Sequence, residues 1–200
     1  MVLPPAVLSP QREEELTPRD REIRRELTKI FTQHGFACFR MIDLASELHC
    51  SLRTLYRFGS TREELFLAVI DRIAATYGRA AVEAVTPDMT ALEGIVAYLR
   101  VGNDMVHLFQ GQLGVDIAAT PQAAARTDVY VAHGVNVVHA LLDFAVERGE
   151  IEPLNTGALA RMLAAAARDF TRRDALRLLD ASPQDAANDV IEVILEALRR

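Results

Sequence analysis

The sequence predicts an all-α fold, in which three short N-terminal helices are joined by a long helix to a larger helical domain. Three observations predict it. Apolar residues recur at helical spacing along most of the 200 residues. Hydroxyl residues placed before prolines mark helix starts. No alternating apolar and polar run bounded by turn residues indicates a strand.

Four predicted helix starts combine a hydroxyl N-cap with a following proline: Thr17-Pro18, Thr86-Pro87, Thr120-Pro121 and Ser182-Pro183. A fifth lies at Ser60-Thr61, where Glu63 and Glu64 offer a capping box. The predicted helices cover residues 18–34, 40–48, 52–58, 61–85, 88–110, 121–148, 155–180 and 183–199. Residues 111–119 are left open, and residues 1–16 are expected to form a loose arm.

Two short helices follow the first one closely. Met41, Leu44, Ala45 and Leu48 give one of them an apolar side. A turn follows, and Ser51 is a suitable N-cap for the next helix. That helix buries Leu55 and Phe58 and shows Arg53, Thr54, Tyr56 and Arg57 on its other side. Two short helices with such a turn between them predict a helix-turn-helix.

The basic, hydroxyl-bearing face of the second short helix suits DNA. In the major groove, an arginine can bind guanine and a threonine can meet a base edge, so Arg53 and Thr54 are expected to read bases. Tyr56, Arg57 and Arg62 are expected to hold phosphates. The alternative is an ordinary solvated charge pair, but the order of the surrounding elements favours DNA. The expected DNA-binding residues are Arg40, Ser51, Leu52, Arg53, Thr54, Tyr56, Arg57 and Arg62.

Residues 21–70 resemble the N-terminal domain of the tetracycline-repressor (TetR) family of bacterial transcription regulators. The matching residues are Gly35-Phe36, Asp43-Leu44-Ala45, Ser51, Thr54 to Phe58, and Thr61 to Leu65. The chain departs from the family at Phe39, at His49-Cys50 and at Leu52-Arg53. The family usually has Gly-Val where His49-Cys50 stands, and a glycine there serves a backbone with positive φ, which histidine adopts at some cost.

The net charge of −6 is unevenly distributed. Residues 21–62 carry +4, whereas the chain from residue 63 onward carries −8. The positive potential is therefore confined to the expected DNA-facing domain.

Other chemistries find little support in the sequence. No GxSxG, HExxH, P-loop or dinucleotide motif occurs, so we expect neither an enzyme nor a cofactor or metal. Cys38 and Cys50 are expected to pack as small apolar residues. Charges interrupt every apolar stretch before 18 residues, and the start of the chain makes a poor signal peptide. We therefore expect a cytoplasmic protein without a membrane partner.

Polar residues interrupt the otherwise apolar helices in the middle of the chain. A mainly apolar cavity with a few convergent polar groups is typical of a small-molecule site. Each such residue alone is more often a satisfied core or surface group, and only their clustering suggests a pocket. The expected effector-binding residues are Tyr98, Asn103, Met105, His107, Phe109, His133 and Asn136.

The last two predicted helices each carry an apolar stripe. These stripes either close the core of the monomer or form a dimer interface, and the resemblance implies the dimer, because family members pair these helices into a four-helix bundle. The expected interface residues are Leu159, Met162, Leu163, Ala166, Phe170, Ile191, Ile194, Leu195 and Leu198.

Taken together, these features predict a ligand-responsive regulator: an arm over 1–16, a DNA-binding domain over 17–66, and a ligand-binding and dimerisation domain over 67–200. Its partners would be a palindromic double-stranded operator, a small and largely apolar effector, and a second copy. The expected form is a repressor that the effector releases. The alternatives are an all-helical ligand-binding or enzymatic domain with a vestigial helix-turn-helix, and a protein-binding member of the fold.

Overall fold

The structure, a computed structural model, describes residues 13–109, 111–169 and 182–198, and within them it is helical without strands. The helices of the first part are α1 (Pro18–His34), α2 (Met41–Glu47), α3 (Leu52–Leu55), α4 (Arg62–Glu83) and α5 (Ala91–Asp104). Those of the second part are α6 (Val106–Phe109), α7 (Gln112–Ala119), α8 (Pro121–Glu147), α9 (Thr156–Asp169) and α10 (Pro183–Leu198). The predicted all-α fold is confirmed.

Local capping sets several of these boundaries. Thr17 and Asp20 form a capping box at the start of α1. The side chain of Thr61 accepts from the backbone N–H of Glu64 at 3.1 Å, as predicted for the start of α4. At α10, Ser182 accepts in the same way from Asp185, also at 3.1 Å. Each of these hydroxyls satisfies a backbone donor that the helix itself leaves without a partner.

Two helix predictions are wrong in detail. The start predicted at Thr86-Pro87 is a turn, because Thr90 and Glu93 form the capping box of α5 instead, with Thr90 N donating to Glu93 Oε2 at 2.8 Å. The helix predicted over 52–58 ends at Leu55, after which Arg57 and Phe58 donate to carbonyls three residues back. Such bonds tighten the chain into a turn.

The chain divides into two compact units. Unit 1 contains residues up to 75 together with residues 111–129, and unit 2 contains residues 76–109 and those from 130 onward. This division differs from the expected boundary after residue 66, because α7 and the first part of α8 belong to unit 1. The end of the predicted loose arm is also packed: Leu16 is buried, and Glu13 pairs with Arg24 at 2.9 Å.

Unit 1 is built around three phenylalanines. The rings of Phe36 and Phe66 stack with centroids 4.1 Å apart, and Phe31 meets both edge-on. Helix α7 packs against α1 and buries Leu113 and Ile117. Because α7 covers this aromatic core, unit 1 needs residues from two distant parts of the chain.

Unit 2 has a separate aliphatic core to which α5, α8, α9 and α10 contribute. It contains Ala91, Leu92, Ile95, Val138, Leu142, Ala145, Ile151, Ala160, Leu163, Ile191 and Leu195. Leu163, Ile191 and Leu195, predicted as dimer contacts, are thus core residues of the chain itself. This result corrects the prediction for those three residues, since a side chain buried in its own core cannot form the exposed surface of an interface.

Helix α8 is long and apolar enough to cross a membrane by length and composition alone. Core helices pass the same test. In unit 2, α8 buries Val138, Leu142 and Ala145. Near its start, Arg126 forms an ion pair with Asp71 at 2.6 Å, and both side chains are largely shielded from solvent. These contacts pack parts of α8 within the fold, whereas only 17% of its most apolar 18-residue stretch is buried.

Candidate DNA-binding surface and ligand site

Helices α2 and α3 contact each other and are joined by residues 48–51. His49 ends α2 with φ +49°, a left-handed conformation in which glycine is usual. Next to it, Cys50 N donates to Ala45 O at 2.9 Å, which closes the turn. The guanidinium of Arg19 donates to the carbonyls of Leu48 and His49 at 3.0 and 3.3 Å. The turn expected from the sequence therefore forms, with α1 supporting it.

Helix α3 presents its polar residues outward. Ser51 caps it by accepting from Thr54 N at 3.0 Å, as predicted. Leu55 is fully buried, whereas Arg53 and Tyr56 are exposed. Arg53 has no hydrogen-bond or ion-pair partner within the described ranges, and Leu52 and Thr54 are half-buried. An arginine in this state keeps all of its donors available for a ligand.

The other arginines predicted to contact DNA already have partners in the protein. Arg57 donates to both carboxylate oxygens of Asp20, at 3.2 and 3.1 Å. Arg62 donates to Ala37 O at 2.9 Å and lies over the ring of Phe36. Arg40 pairs with Asp43 at 3.2 Å, although its side chain is 83% exposed. The structure therefore separates Arg53, which is unengaged, from arginines that also hold the fold together.

One exposed apolar residue near α3 was absent from the predicted DNA contacts. Ile42, in the first turn of α2, is 61% exposed. It follows Arg40 and Met41, and an apolar side chain can contact a thymine methyl group in the major groove. Its signal was weak, because a single exposed isoleucine is common on protein surfaces.

The predicted effector-binding residues whose side chains the structure describes differ in their burial. Asn103 is buried, and its side chain donates to Asn188 Oδ1 at 2.8 Å. His133 and Asn136 are exposed, because they lie on the face of α8 opposite Val138. The side chain of His107 lies outside the described part of the structure.

The remaining members of that predicted set are half-buried in unit 2. They are Tyr98, Met105 and Phe109. Burial raises the pKa of Tyr98 above its usual value. A Cβ built on Gly134 of α8 would lie 3.7 Å from the Tyr98 hydroxyl, which is an ordinary van der Waals contact.

A small cleft in unit 2 is lined by α5, α9 and α10. Its volume is about 20 Å³, which is room for about one water molecule. Among the predicted effector-binding residues, Asn103 lines this cleft. Its lining residues are Leu99, Asn103, Leu163, Ala166, Ala167, Ala187, Val190 and Ile191.

Helices α9 and α10 also leave apolar side chains exposed. Met162 is 54% exposed and Val193 is 68% exposed. Leu159, Ile194 and Leu198 are partly buried against the core of unit 2, and Ala166 lines the cleft. Phe170 lies outside the described residues. The predicted dimer set therefore divides into core residues and an outward face that also includes Val193, which the prediction omitted.

The structure thus combines a unit whose capped short helix exposes polar residues with a second helical unit that has its own core. No protein-family model matches the chain. Its sequence is 25% identical over 150 residues to YvaF, an uncharacterised HTH-type transcriptional regulator of Bacillus subtilis. This match covers 72% of the chain and 76% of YvaF.

Solved structures identify the fold more closely. A regulatory protein of the TetR family from Rhodococcus RHA1 matches with a TM-score of 0.64 and 17% identity, over 92% of this chain and 98% of its own. A protein from Saccharomonospora viridis, assigned as a transcriptional regulator and solved with choline, matches with a TM-score of 0.73 and 15% identity, over 88% and 95%. The chain has the fold of the TetR-family transcriptional regulators, which confirms the resemblance seen in residues 21–70. All three relatives are regulators and none is an enzyme.

Proposed function

We propose that this protein is a sequence-specific, DNA-binding transcription regulator, acting as a repressor that a small, largely apolar effector releases from its operator. The observation that carries the proposal is the exposed face of α3. Arg53 is unengaged there within the described ranges, Tyr56 is exposed beside it, and Ser51 fixes the start of the helix. A short helix with such a face has the chemistry that major-groove binding needs, and the surrounding residues 21–62 carry a net charge of +4.

The test begins with selection of a duplex by the wild-type protein from a random-sequence pool. Arg53→Ala should weaken binding to that duplex by about 1–3 kcal/mol and relax preference at one base pair, because it removes a base contact. Arg79→Ala, which removes an exposed arginine from unit 2, is the control and should have no such effect. Gel shifts over a range of salt concentrations provide the measurement.

The rival functions give different results. A protein-binding member of the fold, or a domain with a vestigial helix-turn-helix, would select no sequence. Equal losses for Arg53→Ala on selected and random DNA would instead make Arg53 a phosphate contact.

The effector site proposed here is the cleft around Asn103. Its lining is apolar apart from the Asn103 side chain, and the choline complex of the Saccharomonospora protein supports a small-molecule ligand. At about 20 Å³ the cleft must widen to admit an effector. The ligand would therefore select an opened state and shift the population toward it.

Thermal-shift screening of choline and small apolar molecules should identify a ligand that weakens operator affinity by about 5- to 150-fold, and operator should weaken ligand affinity by the same factor. Ala166→Leu should abolish this response and leave ligand-free DNA binding intact, because it fills the cleft. Ala80→Leu, at an exposed position of α4, is the control. A ligand response that survives Ala166→Leu would place the effector site elsewhere.

A further inference from the structure

The buried carboxylate of Asp20 connects the first helix to the recognition helix. Asp20 is 3% exposed, although it lies in the first turn of α1. It accepts from Thr17 N at 3.1 Å and from the Thr17 hydroxyl at 2.8 Å. The remaining acceptor capacity of the carboxylate is used by a side chain 37 residues away, Arg57.

Arg57 comes directly after α3 and its cap residue Tyr56. Its two terminal nitrogens reach the two oxygens of Asp20 at 3.2 and 3.1 Å, and its side chain is 55% exposed. A bidentate pair fixes the direction of a guanidinium more closely than a single hydrogen bond does. We call Thr17, Asp20 and Arg57 the Asp20 clamp.

We propose that Asp20 is a positioning residue for DNA recognition, which acts through Arg57 to hold α3 against α1 at the orientation that presents Arg53 and Thr54. This inference rests on the proposed DNA-binding function. Helix α3 has a single turn, so its own hydrogen bonds hold it weakly. Leu55 anchors its buried side, and the Asp20 clamp fixes its end.

This role differs from that of a phosphate anchor in two measurable ways. If Arg57 held a phosphate, removing it would lower the slope of log affinity against log salt by about one. Removing Asp20 would then leave DNA affinity unchanged or raise it, because an acidic competitor for Arg57 disappears. If the Asp20 clamp positions α3 instead, loss of either Asp20 or Arg57 weakens DNA binding and leaves the salt slope unchanged.

The experiment uses the full chain and the duplex that the wild-type protein selects. D20N and R57M should each bind that duplex about tenfold more weakly with the wild-type salt slope, and D20N/R57M should be no weaker than the weaker single variant, because both changes remove the Asp20–Arg57 pair. E26Q is the control, since it weakens only the exposed pairs of Glu26 with Arg25 and Lys29 on the same helix. R57M changes a half-exposed side chain and carries the test if D20N fails to fold.

Hydrogen exchange of DNA-free protein gives a second readout. The peptide over residues 52–58 should exchange faster in D20N and R57M than in wild type or E26Q. The inference is overturned if D20N binds the duplex as tightly as wild type, or if R57M lowers the salt slope by about one. A wild-type protein that selects no duplex contradicts the proposed function and this inference with it, and exchange would still show whether the Asp20 clamp holds α3.

Discussion

His49, in the turn between α2 and α3, adopts an unfavourable backbone conformation that its neighbours stabilise. Its φ of +49° is sterically unfavourable for a residue with a Cβ, yet Cys50 N and the guanidinium of Arg19 both bond to this segment and hold it. The need for positive φ could be predicted, because a glycine usually stands there in the family. The support from Arg19 could not, because it depends on how α1 packs.

His49→Gly should raise the free energy of unfolding by roughly 0.5–1 kcal/mol, because glycine adopts this conformation without steric cost. Urea denaturation measures the change. Ser46→Gly, at an exposed position within α2, is the matched control and should lower stability by roughly 0.5 kcal/mol. Similar losses for both variants would mean that the left-handed turn stores no strain.

At the scale of helices, local signals predicted most of the boundaries and long-range contacts decided the rest. The starts of α1, α4 and α10 could be read from hydroxyl caps, since a cap acts over three residues. The predicted start before α5 rested on Thr86-Pro87 alone, whereas Thr90 and Glu93 form the cap. Tertiary packing decides which face of α8 is buried, so the exposed positions of His133 and Asn136 could not be predicted.

Glu150 illustrates such a long-range contact. Its carboxylate accepts from the backbone N–H groups of Ala91 and Leu92 at 3.1 and 3.2 Å, so it caps α5 from beyond the end of α8. Burial raises the pKa of Glu150, but these two bonds and the Arg148 guanidinium outweigh it and leave the pKa below its usual value. Glu150 therefore stabilises the fold at pH values above the unfolded pKa of about 4.3.

This contribution should disappear as the pH falls through the lowered pKa of the folded state, because protonation removes the charged acceptor. Glu150→Gln should accordingly be less stable than wild type at neutral pH, and the difference should shrink on acidification. Urea denaturation at several pH values measures it. Glu147→Gln, at an exposed position near the end of α8, should track the wild type throughout, and a constant difference for Glu150→Gln would contradict the assignment.

At the scale of the whole molecule, the sequence predicted the class of protein more accurately than it predicted which residues form the binding surfaces. The charge division at residue 62 indicated a DNA-facing part, but the compact unit that contains residues 21–62 also includes residues 63–75 and 111–129. The apolar stripes of α9 and α10 were assigned to a dimer as wholes, because periodicity cannot tell a chain's own core from an interface. Burial resolves them into core residues and the exposed Met162, and it adds the exposed Val193, which the prediction omitted.

We expect two copies of the chain to pair through the exposed Met162 and Val193. M162E/V193E should therefore prevent pairing and abolish binding to a two-half-site operator, because two charges would replace apolar side chains at the interface. Half-sites should lie about one helical turn, roughly 34–36 Å, or a multiple apart. Sedimentation and gel shifts measure both effects. Val82→Glu is the control, since Val82 is 60% exposed on α4. A monomer that still bound the full operator with wild-type affinity would refute the dimer requirement.

Unit 1 combines two separate parts of the chain, and this determines when it can fold during synthesis. Asp116 of α7 accepts from Phe36 N at 2.7 Å, and Leu113 and Ile117 complete the core around α1. A nascent chain that has emerged only as far as residue 75 lacks these groups, so its aromatic core remains open to water. Unit 1 therefore closes only after residues 111–129 leave the ribosome. Chaperones that shield exposed apolar surface would meet this protein within that interval.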